Sequence, residues 1–211
     1  MKKSVKKVLA AVLALALIAL GFSACGGKEG GDSKKASGDN YAANNTEYFI
    51  GTTGPLTGDN ASYGNSVKNG ATIAIEEINA AGGLNGVKFK FDMKDDQATA
   101  QDATTGYNSL YEAGMQISLG SVTTDSCDAF GASAVEDNLF YITPSASAAK
   151  VIEGRDNGFR VCFGDPDQGT LAADDLAKNY KNIGVIYNTS DTYSTGVFDA
   201  FKAEMDAKGV T

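Results

Sequence analysis

Histidine is absent from all 211 residues. Its absence removes Ser-His-Asp and Cys-His nucleophilic catalysis, together with every metal site built on imidazole. Cysteine is scarce, with Cys25, Cys127 and Cys162 making up the full set of three. Cys127 could act as a nucleophile only with a base other than histidine; none lies nearby in sequence, and its place inside a predicted helix reads as packing. Whether Cys127 and Cys162 pair is left open, because their spacing carries no geometry. Basic residues number 18 against 26 acidic ones, too few for the basic face that phosphate backbones require, which excludes nucleic acid as a partner. The glycines at 51, 54 and 58 are not followed by Gly-Lys-Ser/Thr, and the Gly-x-Gly-x-x-Gly fingerprint is missing, so neither phosphate-binding signature is present. No run is long enough for a transmembrane helix: the apolar stretch Val8 to Phe22 is 15 residues, where spanning needs ~20.

What is present begins at the N-terminus. Lys2, Lys3, Lys6 and Lys7 precede that apolar run, and the small residues Ser23 and Ala24 follow it, the layout of a secretory signal peptide over residues 1–24. Directly after comes Cys25-Gly26-Gly27, which resembles the lipobox of bacterial lipoproteins, with Phe22 standing where that pattern usually has Leu. The resemblance implies lipidation at Cys25 and a chain anchored to the outer face of the cell membrane by several acyl chains, since one alone binds only marginally. The alternative is an ordinary small residue behind an ordinary signal peptide. Residues 25–46 are mostly Gly, Ser, Lys, Asp, Asn and Ala with almost nothing to bury, the composition of a flexible tether. Removal of the signal peptide leaves 14 basic residues against 26 acidic ones, a net charge of −12.

Folding is expected from residue 47 onward, over enough chain for one good core or for one domain and part of a second. Tyr48-Phe49-Ile50-Gly51 reads as a strand ended by Gly54-Pro55-Leu56-Thr57-Gly58. Val67, Ala71, Ala74, Ile75 and Ile78 then recur as one buried helical stripe, stopped by the glycines at 82 and 83. Val87 to Met93 alternates as a strand. Thr99 is placed to cap a helix that buries Ala103, Tyr107, Leu110 and Tyr111. Met115–Leu119 and Leu139–Ile142 read as strands on either side of a helix from Asp125 to Asp137. A short strand at Phe159–Phe163, a helix through Leu171, Leu176 and Tyr180, a strand at Ile183–Tyr187 and a helix at Thr195–Ala207 complete the pattern. Regular alternation predicts an α/β fold: a doubly wound parallel sheet of flavodoxin-like order, with helices on both faces and ligand loops at the carboxyl ends of its strands. A lone strand at 183–187 between two helices cannot bury its edges, so residues 164–211 are expected to be an incomplete second unit.

Several segments, in order and spacing, resemble the leucine, isoleucine and valine binding proteins, the type I periplasmic binding family of branched-chain amino acid ABC transporters. They are Gly54-Pro55-Leu56-Thr57-Gly58 with Tyr63-Gly64, the helix end from Glu76 to Gly83, Asp95-Asp96, Thr143-Pro144-Ser145-Ala146-Ser147, Asp167-Gln168-Gly169 and Tyr193. The resemblance implies two lobes that close about a hinge on a small amino acid, here an N-terminal lobe over 47–163 and the start of a second over 164–211, with delivery to an ABC transporter permease. It implies neither cofactor nor catalytic residue. It places Thr124 at the hydroxyl offered to the solute carboxylate, Ser145 and Ser147 at positions offering a carbonyl to the ammonium and a donor to the carboxylate, and Tyr63 and Tyr193 as aromatic walls. Alternatives stay open: Thr124 as a helix N-cap, the tyrosines as surface loop residues, Asp96 and Asp165 as loop and hinge formers. A sensory ectodomain, or a binding protein for an aromatic acid, amide or short peptide, is the rival function.

Overall fold

The computed structural model describes residues 47–210. The signal peptide, Cys25 and tether expected over 1–46 lie outside the described residues. The elements in chain order are β1 (Glu47–Gly54), α1 (Ala61–Ala80), β2 (Lys88–Asp95), α2 (Ala100–Glu112), β3 (Ile117–Ser118), α3 (Thr124–Glu136), β4 (Tyr141–Thr143), a 3-10 turn (Ala149–Val151), β5 (Gly158–Arg160), α4 (Asp165–Leu176) and α5 (Thr192–Ala207). Every strand pairing in the sheet is parallel, and the order is β2-β1-β3-β4-β5. The chain steps from β1 outward to β2 and then crosses back over β1 to reach β3. Right-handed crossovers therefore put α1 on one face of the sheet and α2 and α3 on the other. The reversal leaves a crevice at the carboxyl ends of β1 and β3, where sheets of this type hold ligands.

The main core lies between the sheet and the α2–α3 layer, which carries Tyr107, Leu110, Cys127 and Phe130, packed with Phe49, Tyr141 and Val151. Tyr107 meets the Phe130 ring edge-on at 4.8 Å, and its hydroxyl escapes the apolar layer by donating to Asp137 at 2.8 Å. Fully burying such side chains stabilises by roughly 1.5–3 kcal/mol each. The helix starts follow local chemistry: the Thr99 hydroxyl accepts the Asp102 N–H at 3.1 Å, and Gly64 sits so close to Pro55 that an added Cβ would lie 1.9 Å from the Pro55 carbonyl oxygen. A second, separate apolar cluster joins Ala173 of α4 to Met205 of α5 and to Val210, with Leu176, Ile183 and Phe201 against it.

The structure departs from the periodic pattern in three places. No strand forms at 183–187: a strand needs a neighbour for its N–H and C=O groups, and none is there among the described residues, so Ile186 is fully exposed. The α1 stripe is only partly buried, with Ile78 44% exposed, because this helix packs along β2 and only the side turned to that strand is screened. Helix α4 stops at Leu176, short of Tyr180, and turns Leu171 outward. Its inner face is the i, i+4, i+7 row Gly169, Ala173 and Leu176, and Gly169 lets α5 approach, its Cβ position being 2.5 Å from the Val197 carbonyl. Cys127 and Cys162 are both free; burial pushes the Cys127 thiol up to about 11, so it is an inert packing residue.

Candidate functional site

Two adjacent aspartates at the end of β2 organise the crevice. Asp95 gathers the loop after β1: its carboxylate accepts the Leu56 N–H at 2.8 Å and the Thr57 hydroxyl at 2.5 Å, and also the Gln97 N–H at 3.0 Å. Burial works to raise the Asp95 carboxyl, but these donors together hold it below the usual value. Asp96 is fully buried and fixes the next loop, accepting the Ser121 hydroxyl at 2.7 Å and the Ala98 N–H at 2.9 Å. Its burial outweighs those bonds and raises its carboxyl above the ordinary range. Gln97 and Ala98 take left-handed φ values of 48° and 60°, a strained backbone for non-glycine residues that the two carboxylates sustain.

These loops open onto a cavity of about 430 Å³, within the ~300–1,000 Å³ range of small-molecule sites. All five ligand positions expected from the sequence, Tyr63, Thr124, Ser145, Ser147 and Tyr193, lie along it. Both tyrosines stand in the first turn of a helix, not in loops. Gly64 against Pro55 sets the place of Tyr63, and the Tyr193 hydroxyl accepts from the Gln168 amide at 3.0 Å. Thr124 is the first residue of α3 and 5% exposed. The helix N-cap is Thr123, whose side chain makes no capping bond. The capping alternative for Thr124 therefore falls, and the first turn of α3 presents N–H groups that no side chain caps, at the positive end of a helix dipole. Such an end suits a carboxylate.

The serines differ from one another. The Ser145 hydroxyl is committed to the Val122 carbonyl at 2.6 Å, so what this residue can offer the cavity is its backbone. The Ser147 carbonyl already accepts the Asp165 N–H at 3.2 Å and the Arg160 guanidinium, which leaves its hydroxyl. Asp165 is 2% exposed beside Ser147; burial raises its carboxyl, opposed by the Ser147 hydroxyl and the Arg160 charge. Neither Asp96 nor Asp165 is among the cavity-lining residues: Asp96 holds the Ala98 backbone, whereas the two buried carboxylate oxygens of Asp165 have no hydrogen-bond partner among the described residues.

The wall also contains Asn60, Thr123 and Asp125, from segments at the carboxyl ends of the strands where ligands are expected, and Asn188 and Asp191, which the sequence did not single out as ligand residues. The buried Thr123 Oγ1 has no hydrogen-bond partner among the described residues. Asp125 and Asp191 give the cavity negative charge, and among the described residues neither lysine nor arginine lines it. Residues 188 and 191 carry no local signal of a site, since only folding of the chain beyond residue 164 brings them over the crevice.

Comparison with known proteins follows the same geometry. Residues 47–211 match the family described as periplasmic binding protein. The Leu/Ile/Val-binding protein BraC3 of Rhizobium johnstonii is 35% identical over 164 residues, covering 77% of this chain and 45% of that protein. Among solved structures, the leucine binding protein LivK of Thermotoga maritima superposes with a TM-score of 0.72 at 25% identity, over 77% of this chain and 47% of its own. The branched-chain amino acid transporter substrate binding protein LivJ of Streptococcus pneumoniae, in complex with isoleucine, gives 0.72 at 26% identity, over 75% and 46%. The chain thus spans under half the length of these relatives. Sheet order, the crevice at the ends of β1 and β3 and these matches agree: the chain belongs to the periplasmic binding protein family and has the type I fold of its leucine, isoleucine and valine binding branch.

Proposed function

We propose that this chain captures a small amino acid of the branched-chain type outside the cytoplasm and passes it to an ABC importer, doing no covalent chemistry itself. The observation that carries the reading is the convergence of Tyr63, Thr124, Ser145, Ser147 and Tyr193 on one cavity at the uncapped N-terminus of α3. The solute carboxylate takes the α3 first turn, the Thr124 hydroxyl and the Ser147 hydroxyl; the ammonium takes the Ser145 carbonyl; the tyrosines close over the side chain. Relatives named as Leu/Ile/Val-binding and a structural relative in complex with isoleucine support the solute class. Residues 47–163 act as the first lobe and residues from 164 as the start of the second, hinged near Phe163–Asp165. Anchoring through a lipid on Cys25 keeps the protein beside its permease.

The test is a thermal-shift screen of the chain against the common amino acids and a few aromatic acids. Leucine, isoleucine or valine at a hundred times its dissociation constant is expected to raise the melting temperature by about 5–10 °C. Stabilisation by aromatic acids alone supports the rival solute class and discards the amino acid. Anchoring is tested by Cys25→Ala, expected to release the protein from the membrane fraction.

A further inference from the structure

Asp125 is the second residue of α3, and Thr192 is the first of α5, 67 positions on. The Asp125 carboxylate accepts the Thr192 hydroxyl at 2.6 Å through the oxygen that also meets Lys150 Nζ at 3.0 Å. The Thr192 backbone N–H supports the same carboxylate, which therefore also sits at the positive end of the α5 dipole. This bond joins the two apolar clusters: α3 belongs to the main core and α5 to the second. It lies on the cavity's rim, with Thr124 and Asp125 on one bank and Asn188, Asp191 and Tyr193 on the other. By contrast, the contacts of Asp165 and Arg160 with Ser147 run alongside the chain where it passes from one cluster to the next, and act on the connection itself.

We propose that Asp125 and Thr192 form a latch across the cavity, whose closing holds the α5 bank against α3 and sets how fast a captured solute escapes. The escape rate rests on the proposed function; the latch itself does not. Bonds to a charged acceptor are the stronger kind, and losing one here shifts the open–closed balance about tenfold. Removing Asp125 also deletes its ion pair with Lys150 and a charge on the cavity wall, though Lys150 keeps Asp128 at 3.2 Å; Thr192→Val, which leaves both untouched, isolates the latch.

Asp125→Ala, Thr192→Val, the double variant and Thr192→Ser are compared by hydrogen-exchange mass spectrometry without ligand, and by stopped-flow release of L-leucine read from tyrosine fluorescence. The expected result is about tenfold faster exchange over residues 191–195 and about tenfold faster release in Asp125→Ala and in Thr192→Val. The double variant is expected to be no worse than either single, and Thr192→Ser, which keeps the hydroxyl, to match the unaltered chain. Unchanged exchange in both single variants, or a double variant whose effect is the product of the two singles, overturns the latch. If L-leucine gives no signal, the proposed solute fails, and the exchange arm alone decides the latch.

Discussion

Thr124 and Asp96 show how single side chains divide the work at this site. Thr124 touches the cavity and little in the described network depends on its hydroxyl, so Thr124→Ala is expected to weaken amino acid binding about ten- to hundredfold while leaving the melting temperature nearly unchanged. Calorimetric titration beside a thermal scan checks both halves. Asp96 has the converse character. Its carboxylate holds Ser121 and Ala98 in place from full burial, and Asp96→Asn, which replaces one acceptor by a donor, is expected to cost about 1–3 kcal/mol in urea unfolding. The pH dependence has a definite sign. Because its carboxyl is raised in the folded chain, the stability it contributes is full below the unfolded value of 3.8 and is lost as pH rises through the raised value. The deficit of Asp96→Asn is therefore expected to be largest near pH 3 and to shrink toward neutrality; a deficit independent of pH would contradict the assignment.

Helix α1 contains two glycines in opposite circumstances. A Cβ at Gly64 would strike the Pro55 backbone, while one at Gly70 meets nothing within 4 Å. Gly64→Ala is expected to destabilise by about 2–4 kcal/mol or to prevent folding, and to displace Tyr63 from the cavity. Gly70→Ala is expected to stabilise by roughly 0.5–1 kcal/mol, because the open helix position gains only the lost freedom of the unfolded chain. Denaturant titration of the two variants side by side decides it. The segment 183–187 makes the complementary point for strands. Without a ladder its amides are expected to exchange within seconds, whereas those of β1, paired on both sides by β2 and β3, persist; slow exchange at 183–187 would mean a partner that this picture lacks.

Two apolar clusters of unequal size imply two cooperative units in the whole molecule. The larger joins the sheet to α2 and α3, and the smaller holds α4 to α5 around Ala173, Met205 and Val210. Leu171, Val185 and Ile186 stay exposed beside the smaller one. Helices α4 and α5 are therefore expected to open sub-globally at lower denaturant than α2 and α3, seen as a separate earlier transition in native-state hydrogen exchange. Binding of an amino acid to the cavity, which both units line, is expected to merge the two transitions, since a ligand held by both banks stabilises only the state in which they meet.

The sequence by itself determined the alternation of strand and helix, the parallel sheet and the order of the loops, because burial periodicity and helix starts such as Thr99 are local properties written over a few residues. Resemblance to the leucine, isoleucine and valine binding proteins singled out Tyr63, Thr124, Ser145, Ser147 and Tyr193, and all five line one cavity. Tertiary structure alone decided the rest. Thr123, not Thr124, stands at the N-cap position of α3 and leaves it without a side-chain cap; the Ser145 hydroxyl is spent on Val122; Asp125 reaches Thr192; and 183–187 forms no strand. Each of these depends on a partner far away in the chain, and a hydrogen bond or a buried face exists only once that partner arrives.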